Sequence, residues 1–234
     1  MAVFAGPDGL NLQLAETLGA GTLQSAYATL AKKYQLYLLV GTLPTRTSDP
    51  KRFAASSLLY SPEGELLADY QKIHLFDALV NDSSQQYSES ATTMAGKKLT
   101  LTQLGDLRLG MLICYDMRFP GLAQALAAQG MNVMAVPSAF TTVTGEAHWH
   151  TLLRARAIET QSFVVAPAQV GTHINGRQTY GHSLIIDPWG RILAEADGSS
   201  EMVLSVEIDL DYCQQLAEKM PVRHHNRFQS EFKV

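Results

Sequence analysis

Residues 108–120 read RLGMLICYDMRFP, an apolar run that ends at Cys114 and is followed by Pro120. The run predicts a buried strand over residues 108–113, and a proline suits the first turn of the helix that we expect next. Cys114 therefore stands on a turn between a strand and a helix. Ligand sites of α/β proteins lie at the carboxyl ends of strands, where a helix N-terminus can also lower the pKa of a thiol.

The segments around this turn alternate between strand and helix, the pattern of a layered α/β fold. Turns are short, and we find no repeat, low-complexity tract or linker, which favours a single domain over residues 1–234. The predicted helices are 22–34, 121–129, 146–161 and 210–220. The predicted strands are 36–43, 54–60, 65–71, 108–113, 132–136, 163–168, 182–187, 191–196 and 202–208, with a turn at 61–64.

Composition limits the class of protein. Of 234 residues, 46% are hydrophobic and 17% are charged, and the formal net charge is −4. This excludes an intrinsically disordered chain and disfavours a nucleic-acid partner. The charged fraction is below the roughly 25% of an average soluble protein, which favours a homodimer or a higher homo-oligomer.

Cysteine content and hydropathy predict the compartment. Cys114 and Cys213 are too few for a disulfide scaffold, so we expect thiols of a reducing compartment, the cytoplasm. The first residues resemble neither a signal peptide nor a transit peptide. The longest uncharged stretch, 119–145, is broken by polar residues and a proline, so we expect no membrane span.

Two side chains at predicted strand ends are candidates for amide chemistry. Cys114 is a candidate nucleophile, although a lone cysteine after an apolar strand is commonly an inert core residue. Lys72, after the predicted strand 65–71, is a candidate cation for an oxyanion, although such a lysine is commonly a surface residue. None of the seven histidines has a context that marks a base. His148 and His150 diverge on a predicted helix, which disfavours a metal that they share.

Three segments together resemble the nitrilase, or carbon–nitrogen hydrolase, superfamily: YQKIHLFD at 70–77, GMLICYDMRFP at 110–120 and PSAF at 137–140. Segments 144–149, 153–161 and 180–183 are similar to the branch that hydrolyses deaminated glutathione and related ω-amides. The resemblance covers nearly the whole chain. It implies a four-layer α-β-β-α sandwich that uses no metal and no organic cofactor.

The resemblance also implies residue roles. Cys114 is expected to be the nucleophile, and Lys72 with the backbone N–H of Tyr115 to hold the oxyanion. Glu89 falls where relatives place a glutamate that orients the lysine or assists proton transfer, and a solvated loop carboxylate is its alternative. Tyr115 and Phe140 are expected to line the substrate pocket.

One expected element falls outside the sequence. The superfamily's general-base glutamate follows a proline just before a segment similar to residues 2–9, so we expect it, together with the first strand and helix, ahead of Met1. Glu16 lies in what resembles an ordinary connecting segment, which disfavours it as the base. Codons for Pro-Glu immediately before Met1 would favour the enzyme, and an in-frame stop there would favour a binding protein.

The expected activity is hydrolysis of a small carboxylate-bearing amide through a thioester, with deaminated glutathione as the favoured substrate. An ω-amidase acting on 2-oxoglutaramate and a catalytically inactive binding protein are the alternatives. Arg118 is either an anchor for a substrate carboxylate or, as slightly favoured, a structural ion-pair partner. Glu146, where relatives often carry proline, is expected in the first turn of its helix, where a carboxylate suits the helix dipole.

Overall fold

The computed structural model describes residues 9–82 and 86–228, which divide into two compact units. The first unit comprises the described residues up to Thr100 together with His173–Arg177. The second comprises Leu101–Thr172 and the described residues from Gln178 onward. Residues 2–8, on which the expected position of the upstream glutamate rests, lie outside the described residues. Within the described ranges, no helix is both long enough and apolar enough to span a bilayer.

The first unit is built on an antiparallel sheet. Its described residues form helices α1 (Leu10–Gln13) and α2 (Thr22–Tyr34) and strands β1 (Leu38–Arg46), β2 (Phe53–Tyr60), β3 (Leu66–Gln71), β4 (Asp77–Leu79) and β5 (Gln86–Ser88). Strands β1, β2 and β3 pair in that order, and β4 pairs with β5 in a separate hairpin. Helix α2 packs on the larger sheet because Ala31 joins Val40, Leu58 and Tyr60 in one buried cluster.

A tight turn joins β2 to β3, as predicted for residues 61–64. The N–H of Ser61 donates to the Glu65 carbonyl and the N–H of Gly64 donates to the Ser61 carbonyl, both at 2.9 Å. Gly64 has a φ of 84°, and a Cβ there would lie 2.7 Å from the Ala28 carbonyl of α2. Glycine is therefore needed here for two reasons: it adopts this φ without strain, and it leaves room for the backbone of α2.

The second unit is built on a mixed sheet. Its described residues form strands β6 (Leu101–Leu104), β7 (Leu107–Met111), β8 (Val133–Ala135), β9 (Phe163–Ala166), β10 (Val170–Thr172), β11 (Gln178–Tyr180), β12 (Leu184–Ile186) and β13 (Ile192–Glu195) and helices α3 (Pro120–Ala128), α4 (Thr142–Thr160), α5 (Asp211–Lys219) and α6 (Val222–His225). The sheet order is β13-β12-β9-β8-β7-β6, and β10 pairs with β11 separately. Strands β7, β8 and β9 are parallel. Their carboxyl ends therefore lie at one edge of the sheet.

The centre of this sheet is the core of the second unit. Met111, Met134 and Val164 on the three parallel strands are at most 1% exposed, and Trp149 and Leu153 of α4 are fully buried. Parallel strands connected by helices are covered on both faces, which is why their sequences are continuously apolar. Each unit thus has one main sheet with a helix packed on it, the composition that an α-β-β-α sandwich requires, and the predicted α/β class is confirmed.

Two predicted elements need correction. Helix α4 begins at Thr142 rather than at 146, because the Thr141 hydroxyl oxygen accepts a hydrogen bond from the Thr144 N–H at 3.2 Å and caps the helix. Glu146 therefore lies in the second turn, and its expected first-turn position is wrong. Within residues 86–228, no strand forms at 202–208, although burial alternates there. Alternation indicates an extended segment, whereas a strand also needs a partner.

Several short strands were not predicted. Strand β6 pairs with β7 across a Gly105-Asp106 turn in which Gly105 has a φ of 61°. Glycine followed by aspartate between apolar runs is a hairpin signal that could have predicted it. Hairpins β4–β5 and β10–β11 have strands of three residues each, too short to show a period.

Helix α2 is capped by a side chain from outside the helix. Gly21 precedes the helix and offers no side chain, and the Glu16 carboxylate instead accepts hydrogen bonds from the backbone N–H groups of Leu23 at 2.7 Å and Gln24 at 3.1 Å. Burial raises the pKa of Glu16, but these hydrogen bonds outweigh it and leave the pKa below its ordinary value. The carboxylate thus belongs to the helix terminus, in line with the connecting role expected for it.

The Glu16→Gln substitution should lower the free energy of unfolding by about 1 kcal/mol at pH 7, the usual value of an N-terminal cap. Because the folded pKa is lowered, the stabilisation is present above the unfolded pKa and is lost as pH falls through the folded pKa. Urea unfolding at pH 7 and about pH 3 should therefore give a larger difference between the variant and the wild type at pH 7 than at pH 3. Glu63→Gln, in the exposed turn, is the control, and an equal loss at both pH values would contradict the role of the Glu16 charge.

Candidate active site

Lys72 is buried beside a carboxylate in the first unit. It follows β3, and its N–H donates to the Ala55 carbonyl at 2.9 Å, so the backbone still runs beside β2. The residue is 2% exposed, and its Nζ lies 2.5 Å from Glu89 Oε2. A buried ammonium group needs such a partner, since an unpaired charge in the interior is costly. The alternative of a surface lysine is therefore wrong.

Glu89 is held in place by the β4–β5 hairpin. It begins a short 3-10 helix directly after β5, and its Oε2 also accepts a hydrogen bond from the Phe76 N–H at 2.6 Å. Its side chain is 18% exposed. The alternative of a solvated loop carboxylate is thus wrong, and the predicted pairing of Glu89 with Lys72 is present in the first unit.

Cys114 adopts a rare backbone conformation in the second unit. Its φ is 49°, in the left-handed region that residues other than glycine seldom enter. The N–H of Cys114 donates to the carbonyl of Pro137, two residues after β8, at 3.0 Å. The residue is half-buried, at the carboxyl end of β7. Strained non-glycine residues of this kind cluster at functional sites. The turn predicted at Cys114 therefore exists, although it leads first into a 3-10 helix, Cys114–Arg118, and then into α3.

Asp116 stabilises this turn and was not singled out from the sequence. It is fully buried, and its Oδ2 accepts a hydrogen bond from the Ile113 N–H at 3.0 Å. An acid three residues after the start of a helical turn is a capping signal that could have predicted it. Asp116 therefore acts as a positioning residue for the backbone around Cys114.

Cys213 is chemically different from Cys114. It is buried in α5, and burial raises the pKa of its thiol to about 11. A thiol with that pKa is protonated at neutral pH and a poor nucleophile. The prediction that Cys213 is a core residue is confirmed, and neither cysteine is in a disulfide.

Arg118 lies between two aromatic rings. Its guanidinium carbon is 5.0 Å from the ring centre of Phe140 and 5.8 Å from that of Tyr115, and its Nη1 lies 3.2 Å from His148 Nδ1. Burial lowers the pKa of Arg118 below its ordinary value. Among the described residues it forms no ion pair with a carboxylate, so the favoured interpretation as an ion-pair partner is wrong.

The predicted site residues fall into two sets. Lys72 and Glu89 are in contact in the first unit. Cys114 and Tyr115 share one 3-10 helix in the second unit, where Tyr115 and Phe140 both lie against Arg118. The ring of Phe140 also packs on Trp149 of α4, with ring centres 5.0 Å apart.

Comparison with known sequences identifies the family of this chain. A family model described as carbon-nitrogen hydrolase matches residues 9–218. The chain belongs to the carbon-nitrogen hydrolase family. The deaminated glutathione amidase of Yersinia enterocolitica is 45% identical to this carbon-nitrogen hydrolase over 217 residues, which are 92% of this chain and 76% of that protein. The deaminated glutathione amidase of Synechocystis is 41% identical over 228 residues, 96% of this chain and 83% of that protein.

Solved structures confirm the fold of this carbon-nitrogen hydrolase. The NitFhit protein of C. elegans is similar with a TM-score of 0.80 at 41% identity, over 87% of this chain and 50% of that chain. Nit3 of Saccharomyces cerevisiae, a member of branch 10 of the nitrilase superfamily, is similar with a TM-score of 0.81 at 30% identity, over 94% of this chain and 78% of that chain. The predicted nitrilase-type fold is therefore confirmed.

Removing the Asp116 carboxylate should loosen the turn at Cys114 in this hydrolase. Asp116→Ala leaves the buried N–H of Ile113 without that acceptor, so we expect the free energy of unfolding to fall by about 1–3 kcal/mol. Asp116→Asn keeps an acceptor oxygen and should lose less. Denaturant unfolding measures the stability, and alkylation by iodoacetamide reports the reactivity of Cys114, because Cys213 is buried and protonated. The positioning role would be ruled out if Asp116→Ala had the wild-type free energy of unfolding and the wild-type rate of alkylation at Cys114.

Proposed function

We propose that this chain is a cysteine-dependent amidase that hydrolyses deaminated glutathione. The observation that carries the proposal is its 41–45% identity, over more than nine-tenths of its length, to proteins named deaminated glutathione amidase. The strained backbone of Cys114 and the buried contact between Lys72 and Glu89 support catalytic roles for Cys114 and Lys72. The substrate is thus a small amide that carries carboxylates.

In the proposed reaction, the Cys114 sulfur attacks the amide carbonyl and forms a C–S bond. Lys72 and the N–H of Tyr115 hold the negative oxygen of the tetrahedral intermediate. The C–N bond then breaks, the amine leaves with a proton, and water cleaves the thioester to release a carboxylic acid and restore the thiol. In this scheme a general base accepts the thiol proton and returns it to the leaving amine.

Glu89 gives Lys72 its proposed role. The carboxylate compensates the charge of the ammonium group in the interior and restricts the position of Nζ. The N–H of Phe76 occupies the same carboxylate oxygen, which limits the rotation of Glu89. A fixed cation stabilises developing negative charge without reorganisation during the reaction.

Arg118 is the proposed anchor for a substrate carboxylate. Its guanidinium has no carboxylate partner within the described parts of the chain and lies on the rings of Tyr115 and Phe140, the two residues proposed to line the pocket. Arginine binds a carboxylate through two parallel hydrogen bonds. Its guanidinium group is always positively charged, so no proton transfer is needed for binding. This placement favours an amide that bears a carboxylate over a neutral amide.

We further propose that residues 1–234 act as one carbon-nitrogen hydrolase domain, because the family model spans residues of both units. The proposed state is a cytoplasmic homodimer or higher homo-oligomer. Two cysteines outside disulfides support a reducing compartment. Two exposed aromatic residues, Tyr34 at 60% and Tyr37 at 53%, support an interface between copies of the chain. Light scattering, which measures the molar mass in solution, tests this oligomeric state.

Substitution of the nucleophile should abolish turnover. Cys114→Ala should lose hydrolysis of deaminated glutathione while the free energy of unfolding stays as in the wild type, because only one heavy atom at a half-buried position is removed. Glu89→Gln should lower kcat by about a hundredfold, since an oxyanion donor held less firmly loses an effect of this size. Cys213→Ala, in the core, is the control that keeps turnover.

The outcomes separate the candidate functions. Turnover by Cys114→Ala would eliminate the nucleophile assignment. Faster turnover of 2-oxoglutaramate than of deaminated glutathione would instead identify an ω-amidase. Saturable binding of the amide by the wild type without product formation would identify a binding protein.

A further inference from the structure

The second unit carries a cluster of two histidines and a glutamate outside the proposed catalytic residues. His150 lies on α4, His182 lies two residues before β12, and Glu195 ends β13. Glu195 Oε1 is 2.8 Å from His150 Nε2 and 3.1 Å from His182 Nδ1. The ligand atoms of the three side chains all lie within 4.8 Å of one another.

We propose that the cluster of His150, His182 and Glu195 binds a divalent transition-metal ion, with Zn²⁺ as the best match. Imidazole nitrogens and carboxylate oxygens are ligands that Zn²⁺ prefers. In a tetrahedral site with bonds of about 2.0–2.2 Å, the ligand atoms are about 3.3 Å apart. The two separations from Glu195 Oε1, 2.8 and 3.1 Å, are close to this value, and the separation of the two histidine nitrogens is within 4.8 Å, so side-chain rotations admit the ion. The proposal is independent of the amidase function.

The backbone around His182 supports a built site. His182 has a φ of 55°, and its carbonyl accepts a hydrogen bond from the indole N–H of the buried Trp149 at 2.7 Å. A Cβ on Gly198 would lie 2.3 Å from His182 Nε2, so only glycine leaves room for the ring in this position. The orientation that directs Nδ1 at Glu195 is therefore specified by its surroundings.

Charge and exposure also favour a cation. Asp197 and Glu195 both interact electrostatically with His182. Glu146 interacts electrostatically with Tyr180, and the ring centre of Tyr180 lies 4.3 Å from that of His182. These carboxylates make the surroundings of the cluster negative. The side chains of His150, His182 and Glu195 are 30%, 26% and 35% exposed, which lets water complete the coordination. Three protein ligands and water form a common open zinc site.

The ion would connect α4 to the β12–β13 hairpin. His148, two residues earlier on α4, contacts Arg118 instead, as expected for side chains that diverge. The metal therefore uses one histidine of the pair together with partners that are distant in sequence. Bound metal should stabilise the folded second unit in proportion to its affinity and concentration.

Zinc titration of Cys114→Ala tests the proposal, because this background removes the half-buried thiol that would itself bind zinc. Calorimetry with ZnCl₂ should show one ion per chain. His150→Gln and Glu195→Gln, each in the same background, should weaken binding at least about tenfold. His148→Gln is the matched control on the same helix and should bind as the parent does.

Thermal unfolding and cobalt spectra complete the test. Zinc at about a hundredfold excess over Kd should raise the midpoint of the parent by about 5 °C, and the two ligand variants should show little shift. Their metal-free midpoints show whether they fold. Bound Co²⁺ should show a tetrahedral spectrum without a thiolate charge-transfer band. Absence of saturable binding, or equal affinity in the parent and in folded His150→Gln and Glu195→Gln, would overturn the proposal.

Discussion

The backbone conformation of Cys114 is the constraint on which the candidate nucleophile depends. A left-handed conformation costs a residue with a side chain about 1–2 kcal/mol, so the surroundings must enforce it. The Pro137 carbonyl accepts the N–H of Cys114, and the buried Asp116 carboxylate accepts that of Ile113. The first of these bonds exists only because β8 lies parallel beside β7. The position of the thiol is therefore as well defined as the central sheet of the second unit.

The two cations near the predicted chemistry are stabilised in different ways. Lys72 is almost fully buried, and a carboxylate compensates its charge inside the first unit. Arg118 is half-buried, and aromatic faces and a histidine surround it instead. An ion pair fixes the position of a cation. A cation that packs on aromatic rings instead has no anionic partner from the protein, so its charge can attract an incoming anion. This difference suits the proposed roles, in which Lys72 holds an oxyanion and Arg118 binds a substrate carboxylate.

Three successive residues of α4 connect separate parts of the second unit. His148 contacts Arg118, Trp149 packs on Phe140 and donates to the His182 carbonyl, and His150 contacts Glu195. Consecutive helical residues point about 100° apart, so one turn can serve three neighbours. Arg118 and Glu195 therefore both contact the same turn of one helix.

Local sequence determined much of the fold. The apolar stripe of 22–34 and the continuous apolar strands of the parallel sheet are properties of short segments, and motif similarity predicted Cys114, Lys72 and Glu89 as a set. Tertiary structure alone decided that Lys72 is almost fully buried and that 202–208 forms no strand in the described part of the chain. His150, His182 and Glu195 likewise meet only in the folded unit. These features depend on partners that are distant in sequence, whereas local patterns encode only which side of a segment is apolar.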